Sequence, residues 1–297
     1  MQEPTSGTRK PVTTTRLRAM KSKGERIAVV TAYDYPSAQL AEAAGADVLL
    51  VGDSLGNVVQ GKETTLSVTL DQIVYHTEIV ARAAKTAFVV ADLPFATYHG
   101  SVDSTLSNVA RVMRDGGAKA VKLEGGQEIL PAVRAAVGAG VPVMGHLGLT
   151  PQSVHVIGGY KVQGKRSAAA EKLLDDALRL EEAGAFALVL ELVTDELAAR
   201  VTERLSIPTI GIGSGARCDG QVLVYHDILQ YELEPHPKKF VKPYTNVGDI
   251  VKRAIAEYVT DVKGRAFPEE RHTFHMEEAD PQRLYGGGGS ADASDKE

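Results

Sequence analysis

The chain has one cysteine, Cys218, no tryptophan, and only 5% aromatic residues. A single thiol cannot close an intramolecular disulfide, so a disulfide-stapled scaffold is excluded and a reducing, cytoplasmic compartment is expected. So few aromatic side chains leave no stacking platform for nucleic-acid bases. Positive charge is also in deficit. Lys+Arg number 33 against 38 Asp+Glu, a formal net charge of −5, and no basic stripe is present to neutralise phosphates. No apolar run approaches the roughly 18–20 residues that cross a bilayer, and residues 1–18 lack the apolar segment of a secretory signal. Neither nucleic acid nor membrane is expected as a partner.

The chain does hold a long, regularly punctuated apolar middle. Its 297 residues, 43% of them hydrophobic, suffice for a large core. Residues 1–15, rich in Thr, Pro and Lys, suggest a flexible arm. Residues 279–297, with Gly286 to Gly289 followed by Ser, Ala and Asp, suggest a disordered tail. No linker divides 16–278, so one domain is expected there. Within it, short runs rich in Val, Ile, Leu and Ala recur at 27–31, 47–51, 87–91, 118–123, 141–145, 185–190, 208–212 and 221–224. They lack polar alternation, as parallel strands buried on both faces do. Helical periodicity fills most intervals, at 36–44, 70–84, 101–114, 128–139, 168–183 and 194–205. Eight strands alternating with helices predict an α/β fold of the (β/α)₈ TIM-barrel type. A doubly wound open sheet is the rival, but no GxGxxG lies between the first strand and helix. Residues 213–220 are too short and Gly-rich for a seventh helix. The eighth is expected at 247–261, and an extra N-terminal helix at 15–23 would cover the barrel floor.

In such barrels catalytic groups sit at the C-terminal ends of the strands. Charged or titratable residues close six consecutive runs: Asp34, Asp53, Asp92, Glu124 (beside Lys122), His146 and Glu191. A single acid after a strand ordinarily caps the next helix. Six converging on one mouth point to a site. Asp53, Asp92 and Glu124 form a carboxylate set from neighbouring strands, which would repel unless a cation joined them. Oxygen-only ligands favour a hard ion such as Mg²⁺; the competing reading is a structural ion network around Lys122. Zinc is disfavoured by the lack of HxxxH spacing and the lone cysteine. Glu191, closing the apolar run Leu188-Val189-Leu190, would have a raised pKa suited to a general base, or else pairs with a base on the following helix. His146 either donates to an anionic substrate or is a satisfied core histidine. Gly211-Ile212-Gly213-Ser214-Gly215 is either a phosphate-binding turn or a turn requiring positive φ. Tyr33, Tyr98 and Tyr160 either line the pocket or pack structurally.

Several blocks then fall in a familiar order: Thr31-Ala32-Tyr33-Asp34-Tyr35, Val51-Gly52-Asp53-Ser54-Leu55-Gly56, Ala91-Asp92-Leu93-Pro94-Phe95, Val121-Lys122-Leu123-Glu124-Gly125-Gly126 and Gly145-His146-Leu147-Gly148-Leu149-Thr150-Pro151-Gln152. Gly158-Gly159-Tyr160-Lys161-Val162-Gln163-Gly164 and Gly211-Ile212-Gly213 follow. Over about Thr15 to His275 the chain resembles the 3-methyl-2-oxobutanoate (ketopantoate) hydroxymethyltransferase family. The resemblance implies a (β/α)₈ barrel and Mg²⁺-dependent transfer of a one-carbon unit from 5,10-methylenetetrahydrofolate to 3-methyl-2-oxobutanoate. The product would be 2-dehydropantoate, for pantothenate and coenzyme A synthesis. It further implies Asp53 and Asp92 as metal ligands, Glu124 holding the metal through water, keto-acid contacts at Asp53, Ser54, Asp92 and Lys122, Glu191 as proton acceptor, and a homo-oligomer, typically a decamer. Ser214 departs from the family's usual Ala, and the tail after His275 is longer than the family core. The nearest rival is a Mg²⁺-dependent 2-oxo acid lyase of the isocitrate lyase and phosphoenolpyruvate mutase type, which typically uses a Cys-bearing loop; Cys218 is not placed like one. A non-catalytic ligand-binding barrel would have lost a base or ligand, and none is missing.

Overall fold

The computed structural model describes residues 9–233 and 238–276. Eight strands, β1 (Ile27–Thr31), β2 (Val48–Val51), β3 (Phe88–Asp92), β4 (Ala120–Glu124), β5 (Val143–Gly148), β6 (Ala187–Glu191), β7 (Thr209–Ile212) and β8 (Gly220–Leu223), form a closed barrel in sequence order. Every pairing is parallel, including β8 with β1. Helices follow most strands: Tyr35–Ala43, Leu70–Ala83, Val102–Arg114, Leu130–Gly138, Ser167–Glu182 and Asp195–Arg204. Two of them start on capping boxes, Asp34 with Ser37 and Thr69 with Gln72, which satisfy backbone donors left open at a helix start. No helix lies between β7 and β8, as the short Gly-rich interval predicts.

Strand periodicity divides the core in two. One set of side chains, including Leu49, Val51, Val89, Val121 and Leu188, packs outward with helix residues such as Ile73, Val80, Val109, Val133 and Leu180. The alternate set, including Val29, Val48, Leu50, Phe88, Val90, Met144, Phe186, Val189, Ile210 and Val222, fills the barrel. Phe88 and Phe186 meet edge to face, 5.7 Å between ring centres. Leu17 and Met20 of the N-terminal helix Thr14–Lys23 belong to this inner set, so that helix plugs the floor.

Two expectations change. Residues 9–13, assigned by composition to a flexible arm, lie against the barrel: Val12 is buried, its N–H donates to Thr86 O at 2.7 Å, and Arg9 pairs with Asp47. One apolar anchor and one ion pair suffice there, and composition averages both away. Strands β4 and β5 also begin and end later than their apolar runs, because ladder hydrogen bonds continue whichever side chain the backbone carries. The expected tail at 279–297 lies outside the described residues.

The chain divides into two compact units, Met1–Asn246 with the barrel and Val247–Glu297. In the second unit the helix expected at 247–261 runs over Val247–Gly264. None of its residues is buried, and Ile250, Ile255, Tyr258 and Val262 are exposed.

Candidate active site

The inward columns of the strands that bury Phe88, Val90, Ala120, Met144, Ala187 and Val189 end, at the C-terminal rim, in polar groups. Two residues beyond Val90 is Asp92; beyond Ala120 are Lys122 and Glu124; beyond Met144 is His146; beyond Val189 is Glu191. Parallel register sets them side by side: Asp92 opposite Lys122, Glu124 opposite His146, and Gly148 opposite Glu191. Asp53 and Ser54 follow directly on β2. They enclose a cavity of about 900 Å³, whose wall also includes Leu50, Tyr160, Val189 and His226.

Lys122 is the hub. Its Nζ lies 2.7 Å from Asp92 Oδ1, 3.3 Å from Glu124 Oε1 and 3.1 Å from His146 Nδ1. Asp92 Oδ2 accepts the Asp53 N–H at 3.0 Å, and Tyr33 OH shares a hydrogen bond of 2.8 Å with Ser54 Oγ. His146 Nε2 stands 3.4 Å from Glu191 Oε2. Two glycines make room. A Cβ on Gly52 would lie 2.8 Å from Ser54 Oγ; one on Gly148, at φ +97°, would lie 2.2 Å from the Glu191 carbonyl oxygen.

Four carboxyl groups in this depth face one ammonium, and their protonation shifts accordingly. Burial pushes Asp53 well above the usual carboxylate range, with repulsion from Glu124 and Asp92 adding to it. Burial raises Asp92 too, against the pull of Lys122. Burial would also raise Glu124, but the Lys122 charge outweighs it and, with the Gln152 N–H, holds that carboxyl below the usual range. Burial opposes the Lys122 charge, yet Asp92, Glu124 and Asp53 keep it well above the ordinary lysine range. Glu191 is pushed up to about 7 by burial, with His146 pulling the other way. The result is a fixed cation, a fixed anion and a carboxyl poised near neutrality within one cavity.

The donor set fits a hard divalent cation. Asp92 Oδ1 is buried without a hydrogen-bond partner, Lys122 being close but out of line, and the ligand atoms that Asp53 and Asp92 offer are carboxylate oxygens. Among the described residues no group of three or more His, Cys, Asp or Glu side chains is placed to hold a metal ion by itself. Mg²⁺ is ordinarily held by one or two carboxylates, the remaining positions going to water and substrate, and Asp53 and Asp92 are the pair that would serve.

A family model described as ketopantoate hydroxymethyltransferase matches residues 11–270. The chain belongs to this family. It is 55% identical over 274 residues to the 3-methyl-2-oxobutanoate hydroxymethyltransferase of Carboxydothermus hydrogenoformans, covering 92% of this chain and 99% of that protein. It is 53% identical over 275 residues to the Bacillus cereus protein of the same name, covering 93% and 99%. Among solved structures, phosphonopyruvate hydrolase in complex with oxalate and Mg²⁺ superposes with a TM-score of 0.57 at 13% identity, covering 93% of this chain and 95% of that one. A 2,3-dimethylmalate lyase of the phosphoenolpyruvate mutase/isocitrate lyase superfamily gives 0.56 at 18%, covering 92% and 90%. At such identities the shared feature is the barrel.

Every site residue anticipated in this ketopantoate hydroxymethyltransferase family member, Asp53, Ser54, Asp92, Lys122, Glu124, His146 and Glu191, lines the one cavity. Gln152 was missed. Its Nε2 donates to Asp53 Oδ2 at 2.9 Å and to Leu93 O at 3.0 Å, its N–H donates to Glu124 Oε2 at 3.1 Å, and its Oε1 accepts from Tyr98 OH at 2.7 Å. An uncharged side chain beyond a strand end carries little signal, although Gln152 closes the segment Gly145-His146-Leu147-Gly148-Leu149-Thr150-Pro151-Gln152 that the family resemblance includes. Tyr33 and Tyr98 are buried and hydrogen-bonded to site residues; Tyr160 is more exposed and lines the cavity. Ser214 is a turn residue: its hydroxyl donates to Leu190 O and accepts from Val193 N–H. Cys218 is fully buried and lines no part of the cavity.

Proposed function

We propose that the chain transfers a hydroxymethyl group from 5,10-methylenetetrahydrofolate to 3-methyl-2-oxobutanoate, giving 2-dehydropantoate for pantothenate synthesis. The observation that carries this reading is a carboxyl poised at about 7, Glu191, on the same cavity wall as a fixed ammonium, Lys122, and a carboxylate pair, Asp53 and Asp92. Asp53 and Asp92 would hold Mg²⁺ directly and Glu124 through water. When bound, the ion supplies Lewis acidity for the keto group.

The residues divide the remaining work. Lys122 seats the keto-acid carboxylate by a charge-assisted contact, and Ser54 offers it a further donor, while Asp53 and Asp92 reach the keto acid through the ion they would hold. Leu50, Val189 and Val222 offer an apolar bed for the branched carbon chain. Glu191 takes the proton from C3; the C–H electron pair becomes the C2–C3 double bond of an enolate. C3 then bonds to the methylene carbon as one of that carbon's two bonds to folate nitrogen breaks, the released nitrogen taking a proton; water gives its hydroxyl to the methylene carbon and its proton to the second nitrogen as that bond breaks, releasing tetrahydrofolate. The cavity far exceeds a five-carbon acid, leaving room for a second substrate.

Among the described residues no helix is long and apolar enough to cross a membrane, and a cytoplasmic location is proposed with that and the lone buried cysteine as support. A homo-oligomer, a decamer by family resemblance, is likewise proposed. Its support is the helix Val247–Gly264, whose apolar side chains at helical spacing stay exposed in a single chain. The decisive assay measures folate-dependent hydroxymethyl transfer with Mg²⁺ and with EDTA. Full activity in EDTA, or none in either, overturns the reading.

A further inference from the structure

His146 is 2% exposed, and its two ring nitrogens face different partners. On one side Nδ1 lies 3.1 Å from Lys122 Nζ and 3.3 Å from Glu124 Oε1. On the other, Nε2 lies 3.4 Å from Glu191 Oε2. Buried Nε2 has no hydrogen-bond partner, a costly condition for a polar atom. The ring thus spans the gap between the substrate-carboxylate end of the cavity and its base.

The chemistry of the nearer partner fixes the tautomer. An ammonium has three hydrogens to give and no lone pair, and the Lys122 side chain points its Nζ at Nδ1 from 3.1 Å. Nδ1 must therefore accept from it. In the neutral ring the proton then sits on Nε2, the atom aimed at Glu191. The competing arrangement, a proton on Nδ1 given to Glu124, would turn that hydrogen toward an ammonium and leave a bare Nε2 lone pair facing a carboxylate. The arrangement with the proton on Nε2 has one unfavourable approach, Nδ1 to Glu124 Oε1 at 3.3 Å, and Lys122 Nζ lies between the two, 3.1 Å from one and 3.3 Å from the other.

We propose that His146 is a positioning residue for Glu191, a bridge whose Nδ1 accepts from Lys122 and whose Nε2–H is donated to the Glu191 carboxylate. It transfers no proton in the net reaction. It fixes which Glu191 oxygen is turned to C3 and which is held to the ring. The 3.4 Å separation is longer than a formed hydrogen bond, as catalytic contacts often are before substrate closes them. Because the bridge starts at Lys122, the residue that seats the substrate carboxylate also locks the part that aligns the base. This inference rests on the proposed role of Glu191.

Glutamine supplies the test, since its amide offers one acceptor and one donor in place of the two ring nitrogens. Exchange of the C3 proton of 3-methyl-2-oxobutanoate is followed in D₂O with Mg²⁺ and without folate. H146A should slow exchange by about 10–100-fold, the usual cost of losing an orienting partner, with KM for the keto acid nearly unchanged. H146Q should restore most of the rate. Wild-type exchange in H146A, equal loss in H146Q, or a loss confined to KM each overturns the bridge. A second measurement needs no turnover. In protein labelled with ¹⁵N at histidine, the resonance pair absent from H146Q should show, in the neutral ring, a proton on Nε2 and a free lone pair on Nδ1. A proton on Nδ1 overturns the inference even if exchange behaves as expected. Absence of exchange in the wild type, with the Nε2–H tautomer observed, would instead overturn the reading of Glu191 as the base.

Discussion

At the floor of the barrel Asp219 accepts from Lys21 Nζ at 2.8 Å, from Thr209 N–H at 2.8 Å and from Thr209 Oγ1 at 3.1 Å. Asp47, also at the floor, accepts from Arg9 Nη2 at 2.5 Å and from Ala28 N–H at 2.9 Å. Each carboxylate there has its own cation and backbone donor. At the opposite rim Asp53, Asp92, Glu124 and Glu191 are near one Lys122, and Asp92 Oδ1 and His146 Nε2 lack hydrogen-bond partners. The barrel thus holds satisfied charge below and unsatisfied charge above. The floor's arrangement is what charge looks like when it serves stability; the rim keeps its imbalance because a cation and a substrate complete it.

The comparison breaks most sharply at the rim's ligands. Asp53→Ala and Asp92→Ala should abolish Mg²⁺-dependent binding of 3-methyl-2-oxobutanoate while the barrel stays folded, measured by calorimetric titration and circular dichroism. Retained Mg²⁺-dependent binding in either would mean the rim's carboxylates are structural like those of the floor.

Glu191→Gln keeps shape and removes the proton acceptor. It should lower kcat by about 10²–10⁴-fold and leave keto-acid and Mg²⁺ binding close to wild type. In D₂O without folate the variant should fail to exchange the C3 proton. The wild type should also show the titration of this carboxyl. With its pKa pushed up to about 7, Glu191 is protonated and inert below that value, so exchange should rise about tenfold per pH unit on the acid side and level off above about 7. A rate flat between pH 5 and about 8 would assign the proton to another group.

Much of this contrast was legible in the residues, and for a physical reason. Strand period forces Asp92, Lys122, Glu124, His146 and Glu191 onto the inward face once Val90, Ala120, Met144 and Val189 are placed there. The apolar runs located the strands, and the absence of a seventh helix followed from the shortness of 213–220. Gln152 was not legible as a site residue, because its role comes from where a loop returns. Nor was the placement of residues 9–13, where Val12 is buried and Arg9 pairs with Asp47. For 247–264 the helix was legible, but not the exposure of its apolar residues Ile250, Ile255, Tyr258 and Val262.

A smaller effect sharpens the comparison by reversing the usual sign of a mutation. The raised carboxyl of Asp53 is a destabilising group in the metal-free fold. The unfolded chain releases this proton near pH 4, the folded chain only higher, so stability falls as pH rises through that interval. Asp53→Asn removes the charge and keeps the shape. At neutral pH without metal it should stabilise the fold by about 0.5–2 kcal/mol in urea titration, a gain typical of relieving a functional site, and the gain should shrink below about pH 4. Destabilisation instead would show that the rim's charges are already satisfied.

The floor should answer in the opposite way, and mostly outside activity. Asp219→Ala leaves Thr209 N–H without its acceptor and Lys21 with only Thr202 O, at 2.8 Å. An unsatisfied buried donor ordinarily costs about 1–3 kcal/mol, so the urea midpoint should fall by that measure. Asp219→Asn keeps an oxygen to accept from Thr209 and should lose less, since only the ion pair goes. Neither change reaches the cavity, which Asp219 does not line, so kcat for hydroxymethyl transfer should stay at the wild-type value. A fall in kcat with unchanged stability would mean the floor is coupled to the chemistry above it. A fall in stability alone, opposite in sign to the effect of Asp53→Asn, would confirm that one barrel holds buried charge under two different rules.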